Sequence, residues 1–275
     1  RRSQNKHPVY CWGKPMILRR LSQSFKEQNW MAIWIEFILL VAGVFLGIQV
    51  ANWNAERVDA SRATAYLERI RDDINADLSN YQDRISFWSD VSAYGAKGLA
   101  YAETGDAENA TQWDLLLAYF QSSQVAEFYT TDATFEELKS AGELGLIKDT
   151  RFRYELSQYY SLGFNPLLTE RPRYRENVRG IIPLEVQTYI WTACYSTSTL
   201  SVQKMLPCKS PLDEKAAAVI VDTIRNDKTL MQELRYWMSG MHVAALFANA
   251  RIERATAVRA SIDTKLGGSA QKDSP

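Results

Sequence analysis

Histidine is almost missing from this chain. His7 and His242 are the two present, so a histidine pair for a metal or a haem would need both of them. A His-paired nucleophile would need His242 itself. The stretch around that residue, MSGMHVAALF, is apolar, and we expect a satisfied core histidine there. Nucleotide-type glycine loops, HExxH and CxxC are also missing. Carboxylates abound, yet no spacing among them singles out an acid/base pair. No catalytic residue, metal or cofactor is therefore expected. Net charge is zero, unlike the basic footprint of a nucleic-acid binder.

Long apolar runs are limited to one, Trp30 to Trp53, WMAIWIEFILLVAGVFLGIQVANW. About 20 residues from Met31 to Val50, at about 1.5 Å each, span about 30 Å, the thickness of a hydrocarbon core. A cleavable signal peptide is the competing account. The apolar core exceeds the roughly 7–15 residues of a typical h-region, and no small-x-small site follows it cleanly, so a retained anchor is expected. Residues 1–29 hold seven Lys/Arg against Glu27 alone, leaving 25 basic and 31 acidic residues for the rest. Short basic flanks stay in the cytoplasm. The expected order is a cytoplasmic basic segment (1–29), a transmembrane helix (30–53), an exported helical domain (54–266) and a disordered tail (267–275). Nucleic-acid binding fails on this compartment as well as on charge.

Cysteine usage agrees with that topology. Cys11 is alone ahead of the anchor, whereas Cys194 and Cys208 fall together beyond it, where an oxidising compartment permits a bridge. The bridge would close a loop of about 15 residues, worth about 3 kcal/mol in the chain-entropy model; two unpaired buried thiols are the alternative. Met16, followed by ILRRLSQSFKEQNW, looks like a natural start, which leaves 1–15 as either an upstream extension or a cytoplasmic tail. Leu18, Leu21 and Phe25 recur at helical spacing among Arg19, Arg20 and Lys26. That suits an amphipathic helix on an anionic membrane face, or a plain flanking segment.

Beyond the anchor the periodicity is helical throughout. Leu67, Ile70, Ile74, Leu78, Tyr81, Ile85 and Trp88 step by three and four, predicting a long amphipathic helix between about Asn54 and Gly95. A loop around Gly105 and a helix from Trp113 to about Phe128 follow. Thr131 or Asp132 caps a helix that Gly142 stops, and Asp149 caps the next, through Tyr160. Pro166 opens another that runs in pieces to about Trp191, broken near Pro183. The Cys194–Cys208 segment reads as a loop or short hairpin. Helix returns from Asp213 to Asn226, then to Leu266 through Leu230, Leu234, Trp237, Met241, Ala245, Ala248 and Ile252. The two longest helices are expected to pack antiparallel as the spine of an all-α bundle.

Two surfaces stand out. Gly43, Gly47 and Ala51 lie four apart, a small-residue stripe that lets another helix approach closely. Glu36 falls on the same face, where a carboxylate needs a partner or the headgroups. Trp30, Trp34 and Trp53 read as interfacial anchors. Arg171, Arg175 and Arg179 form the other surface, with Arg173 between. They could hold an acidic partner or lipid phosphates, although a solvated face with Glu170 and Glu176 as local partners is the preferred account.

Met16 to Glu56, ending GVFLGIQVANWNAE, resembles the start of a family of uncharacterised single-pass bacterial membrane proteins. Thr134 to Tyr160, TFEELKSAGELGLIKDTRFRYELSQYY, is similar to that family's second block, and Glu36 fits its pattern. The resemblance implies an inner-membrane anchor with an exported helical domain and brings no catalytic residues. It covers neither residues 1–15 nor the Cys194–Cys208 loop. The expected function is a non-catalytic single-pass subunit of a larger membrane complex, of respiratory or photosynthetic type, meeting the lipid bilayer and other transmembrane helices, with self-association open. A periplasmic sensor or ligand-binding bundle with a membrane anchor is the alternative.

Overall fold

In the computed structural model, residues 30–126, 130–161, 172–197 and 202–270 are described. The basic flank with Cys11, Arg19, Arg20 and Lys26 lies outside them, as do Phe128, Pro166 and Arg171. The fold is all-α, as expected. Among the described residues the order is α1 (Trp30–Thr104), α2 (Gln112–Gln121), α3 (Ala133–Ser140), a 3-10 turn (Glu143–Leu146), α4 (Thr150–Ser161), α5 (Arg173–Ile181), α6 (Leu184–Ala193), β1 (Tyr195–Thr197), β2 (Gln203–Met205), α7 (Glu214–Asn226) and α8 (Lys228–Ala270).

The chain divides into two units, Arg1–Ala60 and Ser61–Pro275. What is described of the first is helix α1 alone. Its apolar run has a mean hydropathy of 2.3 over an 18-residue window, with none of that window buried. It is long and apolar enough to cross a membrane.

The second unit is built on two long antiparallel helices. On α1, Leu67, Ile70, Ile74, Tyr81, Trp88 and Val91 are buried; on α8, Leu230, Leu234, Trp237, Met241, Ala244, Ala248, Ala255, Val258 and Ile262. Both sets step by three, four or seven residues, the spacing of one helical face. Their direction follows from the cross-contacts. Arg235 donates to Glu103 at 2.9 Å, Arg259 to Asn75 at 3.3 Å, and Arg71 stands 3.9 Å from Asp263. The burial pattern corrects one detail of α8, where Ala244 rather than Ala245 carries the face inward.

Two apolar cores lie along this pair. One gathers Leu67, Ile70 and Ile74 with Phe135, Leu138, Phe152, Leu156, Val258 and Ile262, so α3 and α4 close it. The other gathers Trp88, Val91, Trp113, Leu116, Phe120, Tyr174, Ile190, Val221 and Trp237, closed by α2, α5, α6 and α7.

Helix ends show where local chemistry prevailed over periodicity. Helix α1 passes the expected limit at Gly95, because Gly95 and Gly98 face Met238 and Tyr119 rather than breaking the chain. It ends at Gly105, whose φ of 72° suits a residue without Cβ. Helix α2 starts in a capping box between Thr111 and Asp114 and stops at Gln121, short of the expected Phe128. There the Ser122 and Ser123 hydroxyls bond back to the carbonyls of Tyr119 and Phe120, at 3.0 and 2.6 Å, competing with continued helix. Gly142, at φ 71°, follows α3 as expected, and Asp149 caps α4 through the Phe152 amide at 3.1 Å. Asp213 caps α7 through the Ala216 amide. Helix α8 runs on to Ala270, past the expected helix end at Leu266, because once a helix is nucleated each added residue gains a bond; residues 271–275 lie outside the described residues.

Between α6 and α7 the chain makes a two-stranded antiparallel hairpin with Tyr195 opposite Met205. A Cys194–Cys208 disulfide, 14 residues apart, ties its base, which resolves the loop-or-hairpin and bridge-or-thiol alternatives together. Replacing both cysteines with serine is expected to lower stability by about 3 kcal/mol in equilibrium urea unfolding. At Gly98 an added Cβ would sit 2.8 Å from the buried Tyr119 ring, whose hydroxyl donates to the Gly98 carbonyl at 2.9 Å. Gly98→Val should therefore cost about 1–3 kcal/mol by overpacking, measured the same way.

Candidate functional site

The expected packing face on α1 consists of Glu36, Gly43, Gly47 and Ala51, all exposed. A Cβ added at Gly43 or Gly47 would meet nothing within 4 Å, so the stripe is open along its length. Trp30, Trp34 and Trp53 are exposed as well, with the Trp34 and Phe37 rings edge to face at 6.1 Å. Among the described residues, nothing lies within 4 Å of a Cβ added at Gly43 or Gly47, and Glu36 is exposed.

The arginine stripe is corrected. Arg175 and Arg179 do not form a solvated face paired with Glu176. They turn inward onto the buried end of α2. Arg179 Nε donates to Ser123 Oγ at 2.9 Å and its NH2 to Gln124 Oε1 at 3.0 Å. Arg175 NH1 donates to the Ser123 carbonyl at 2.7 Å. The Arg179 guanidinium lies 4.6 Å from the Phe120 ring centroid and 5.0 Å from that of Trp191, distances at which cation–π attraction offsets part of its desolvation. Burial, with the neighbouring Arg175 charge, pushes Arg179 down to about 9. The turn that receives these arginines is pinned from other sides. Trp237 Nε1 donates to the Ser122 carbonyl at 2.9 Å, and the Tyr174 hydroxyl to the Tyr119 carbonyl at 2.9 Å.

His242 is also corrected. It is exposed, because it falls between the inward positions Met241 and Ala244 on α8.

Two charged residues escaped the periodicity. Asp77 and Arg84 sit on the buried stripe of α1 itself, three or four residues from Ile74, Tyr81 and Trp88. Asp77 is fully buried; its carboxylate accepts the Tyr159 hydroxyl at 2.6 Å and the Thr131 amide at 2.8 Å. Asp132, at the start of α3, makes no side-chain cap bond, so neither expected residue caps that helix with its side chain. Desolvation holds Asp77 above the usual carboxylate range despite both bonds, and the charge of Asp73 adds to the shift. Nearby, Asp73 Oδ2 and the Tyr160 hydroxyl are buried without a hydrogen-bond partner among the described residues. Arg251 donates to the Tyr159 carbonyl at 3.0 Å, and burial pushes the Tyr81 hydroxyl up to about 12. Arg84, also buried, donates to Gln203 Oε1 on the hairpin at 3.1 Å. The signal for both was present in the sequence: two charges seven residues apart, on the inward side of an amphipathic helix.

The fold and these surfaces define an all-α protein with one helix able to cross a membrane and a disulfide-tied helical domain. Comparison with protein-family models, curated proteins and solved structures returns no match.

Because the native state raises Asp77, it binds that proton more tightly than the unfolded chain does. The associated stability is present below the unfolded carboxylate range and is lost as pH rises through the native value. Asp77→Asn keeps an acceptor for the Thr131 amide and offers an N–H to the Tyr159 oxygen. In melting curves taken from about pH 4 to about pH 8, wild type should lose stability relative to this variant as pH rises. An offset between the two that does not change with pH would contradict the assignment.

Proposed function

We propose that the chain is a single-pass membrane protein that acts by contact rather than catalysis. In this reading α1 crosses a bacterial inner membrane with the basic flank in the cytoplasm, and the helical domain is exported as an accessory part of a larger membrane assembly. One observation carries the reading: the apolar run of α1 is unburied, and on it Gly43 and Gly47 leave open space on the face that Glu36 shares by helical phase. In hydrocarbon, close backbone approach across small residues drives helix association, and a carboxylate at that depth calls for a donor or cation from the neighbour. The disulfide fits an exported domain, since such bonds persist in oxidising compartments. The resemblance of Met16–Glu56 to single-pass bacterial membrane proteins points the same way.

The partner is proposed to be another transmembrane helix, of a different subunit or of a second copy. Mild-detergent purification should recover the protein with a partner in fixed ratio, or as a defined oligomer. Gly47→Ile should shift it toward the free form while leaving the circular dichroism of the exported domain unchanged. Recovery of a lone monomer from native membranes would overturn the proposal.

A further inference from the structure

Arg84 and Arg179 carry their charges into the second core with neutral partners. No salt bridge joins either of them to a carboxylate among the described residues. Arg84 is 4 % exposed and meets Gln203 Oε1; Arg179 meets Ser123 Oγ and Gln124 Oε1. A guanidinium offers five N–H donors and does not surrender its charge. These acceptors use one donor of Arg84 and two of Arg179, and they cancel none of the charge. Removing cations from water without a counter-charge is costly.

Both arginines reach the hairpin side of this core. Arg179 lies over the Trp191 ring, whose edge meets Tyr195 at 4.8 Å. Gln203, which holds Arg84, sits on β2, and β2 pairs with Tyr195 through Met205. The charges of Arg84, Arg175 and Arg179 all act on the Tyr195 hydroxyl. The frame is fixed by the disulfide beneath the hairpin and by the buried turn Gln121–Gln124, in which Gln121 donates to the Cys194 carbonyl and Gln124 to Gln121. Side chains locked in this way are preorganised for a ligand.

We propose that Arg84 and Arg179, beside Arg175 and Tyr195, form a binding site for the phosphate group of a small molecule. Two positive charges without a carboxylate in salt-bridge contact match the roughly 1.5 to 2 negative charges of a phosphate monoester near neutrality, whereas a single carboxylate would leave one cation unpaired. The planar fork of a guanidinium suits two phosphate oxygens at once. Glutamine and serine partners fix the forks in place without neutralising them, which leaves their field for the ligand. This inference stands apart from the packing face on α1, and either can fail without the other.

The test uses the full chain in detergent, titrated with inorganic phosphate against sodium chloride at constant ionic strength, with acetate in a parallel arm. Saturable heat in calorimetry and a rise in melting temperature with phosphate, and much less with acetate, are expected. Arg84→Gln and Arg84→Lys should each weaken phosphate binding by roughly tenfold or more, the lysine variant because it keeps the charge and loses the fork. The phosphate-free melting temperature and circular dichroism of both variants, measured alongside, separate lost binding from lost folding. Absence of saturable binding, equal binding of acetate, or unchanged affinity in both variants would overturn the site.

Discussion

The antiparallel pairing of α1 with α8 is the interaction on which the rest of the helical domain depends. Neither helix could bury its stripe alone, and the remaining helices are too short to hold together in water without a scaffold. Each is laid against the pair where its own apolar face is needed. Helices α3 and α4 close one core over Ile70, Ile74 and Ile262; α2, α5, α6 and α7 close the other over Trp88 and Trp237. The glycines at 95 and 98 belong to the same design, letting Met238 and Tyr119 come close to the α1 backbone.

Polar groups placed inside this frame set its specificity. Asp77 and Arg84, opposite in sign and seven residues apart, point into the domain from one helix, and each is met by neutral partners rather than by the other. Such groups are poor sources of stability, because desolvation offsets what their bonds gain. Departures from an apolar stripe of this kind are expected where a protein has something other than stability to provide. Asp77 ties α3 and α4 to α1 through Thr131 and Tyr159. Arg84 ties the disulfide hairpin to α1 through Gln203.

Much of this architecture was legible in the residues. The stripes through Ile70, Ile74 and Trp88 and through Leu234, Trp237 and Met241 announced the two long helices, and equal length suggested their pairing. Asp149, Gly142 and Pro183 marked boundaries that the structure keeps, because caps and breakers act within one turn of chain. Other boundaries depended on contacts remote in sequence. Gly95 reads as a stop until Met238 is seen against it, and the Trp237 bond that pins the end of α2 comes from over a hundred residues further on. The same remoteness hid the inward turn of Arg175 and Arg179, since their acceptors lie some fifty residues earlier. His242 was misassigned by one position of helical phase, which suffices to turn a side chain from core to surface. On the stripe of α1, Leu78 and Ile85 drew attention away from Asp77 and Arg84 beside them.

The central claim is that one face of the apolar run of α1, and not the opposite face, is built to meet another helix. The most direct measurement is photo-cross-linking in native membranes with a reactive side chain introduced singly at Gly43 or Gly47, and singly at Ile38 or Phe45, about half a turn away around the helix. Discrete protein adducts from the glycine positions, with lipid adducts alone from the other two, are predicted. Adducts of equal yield from both faces, or lipid adducts alone from all four positions, would contradict the account.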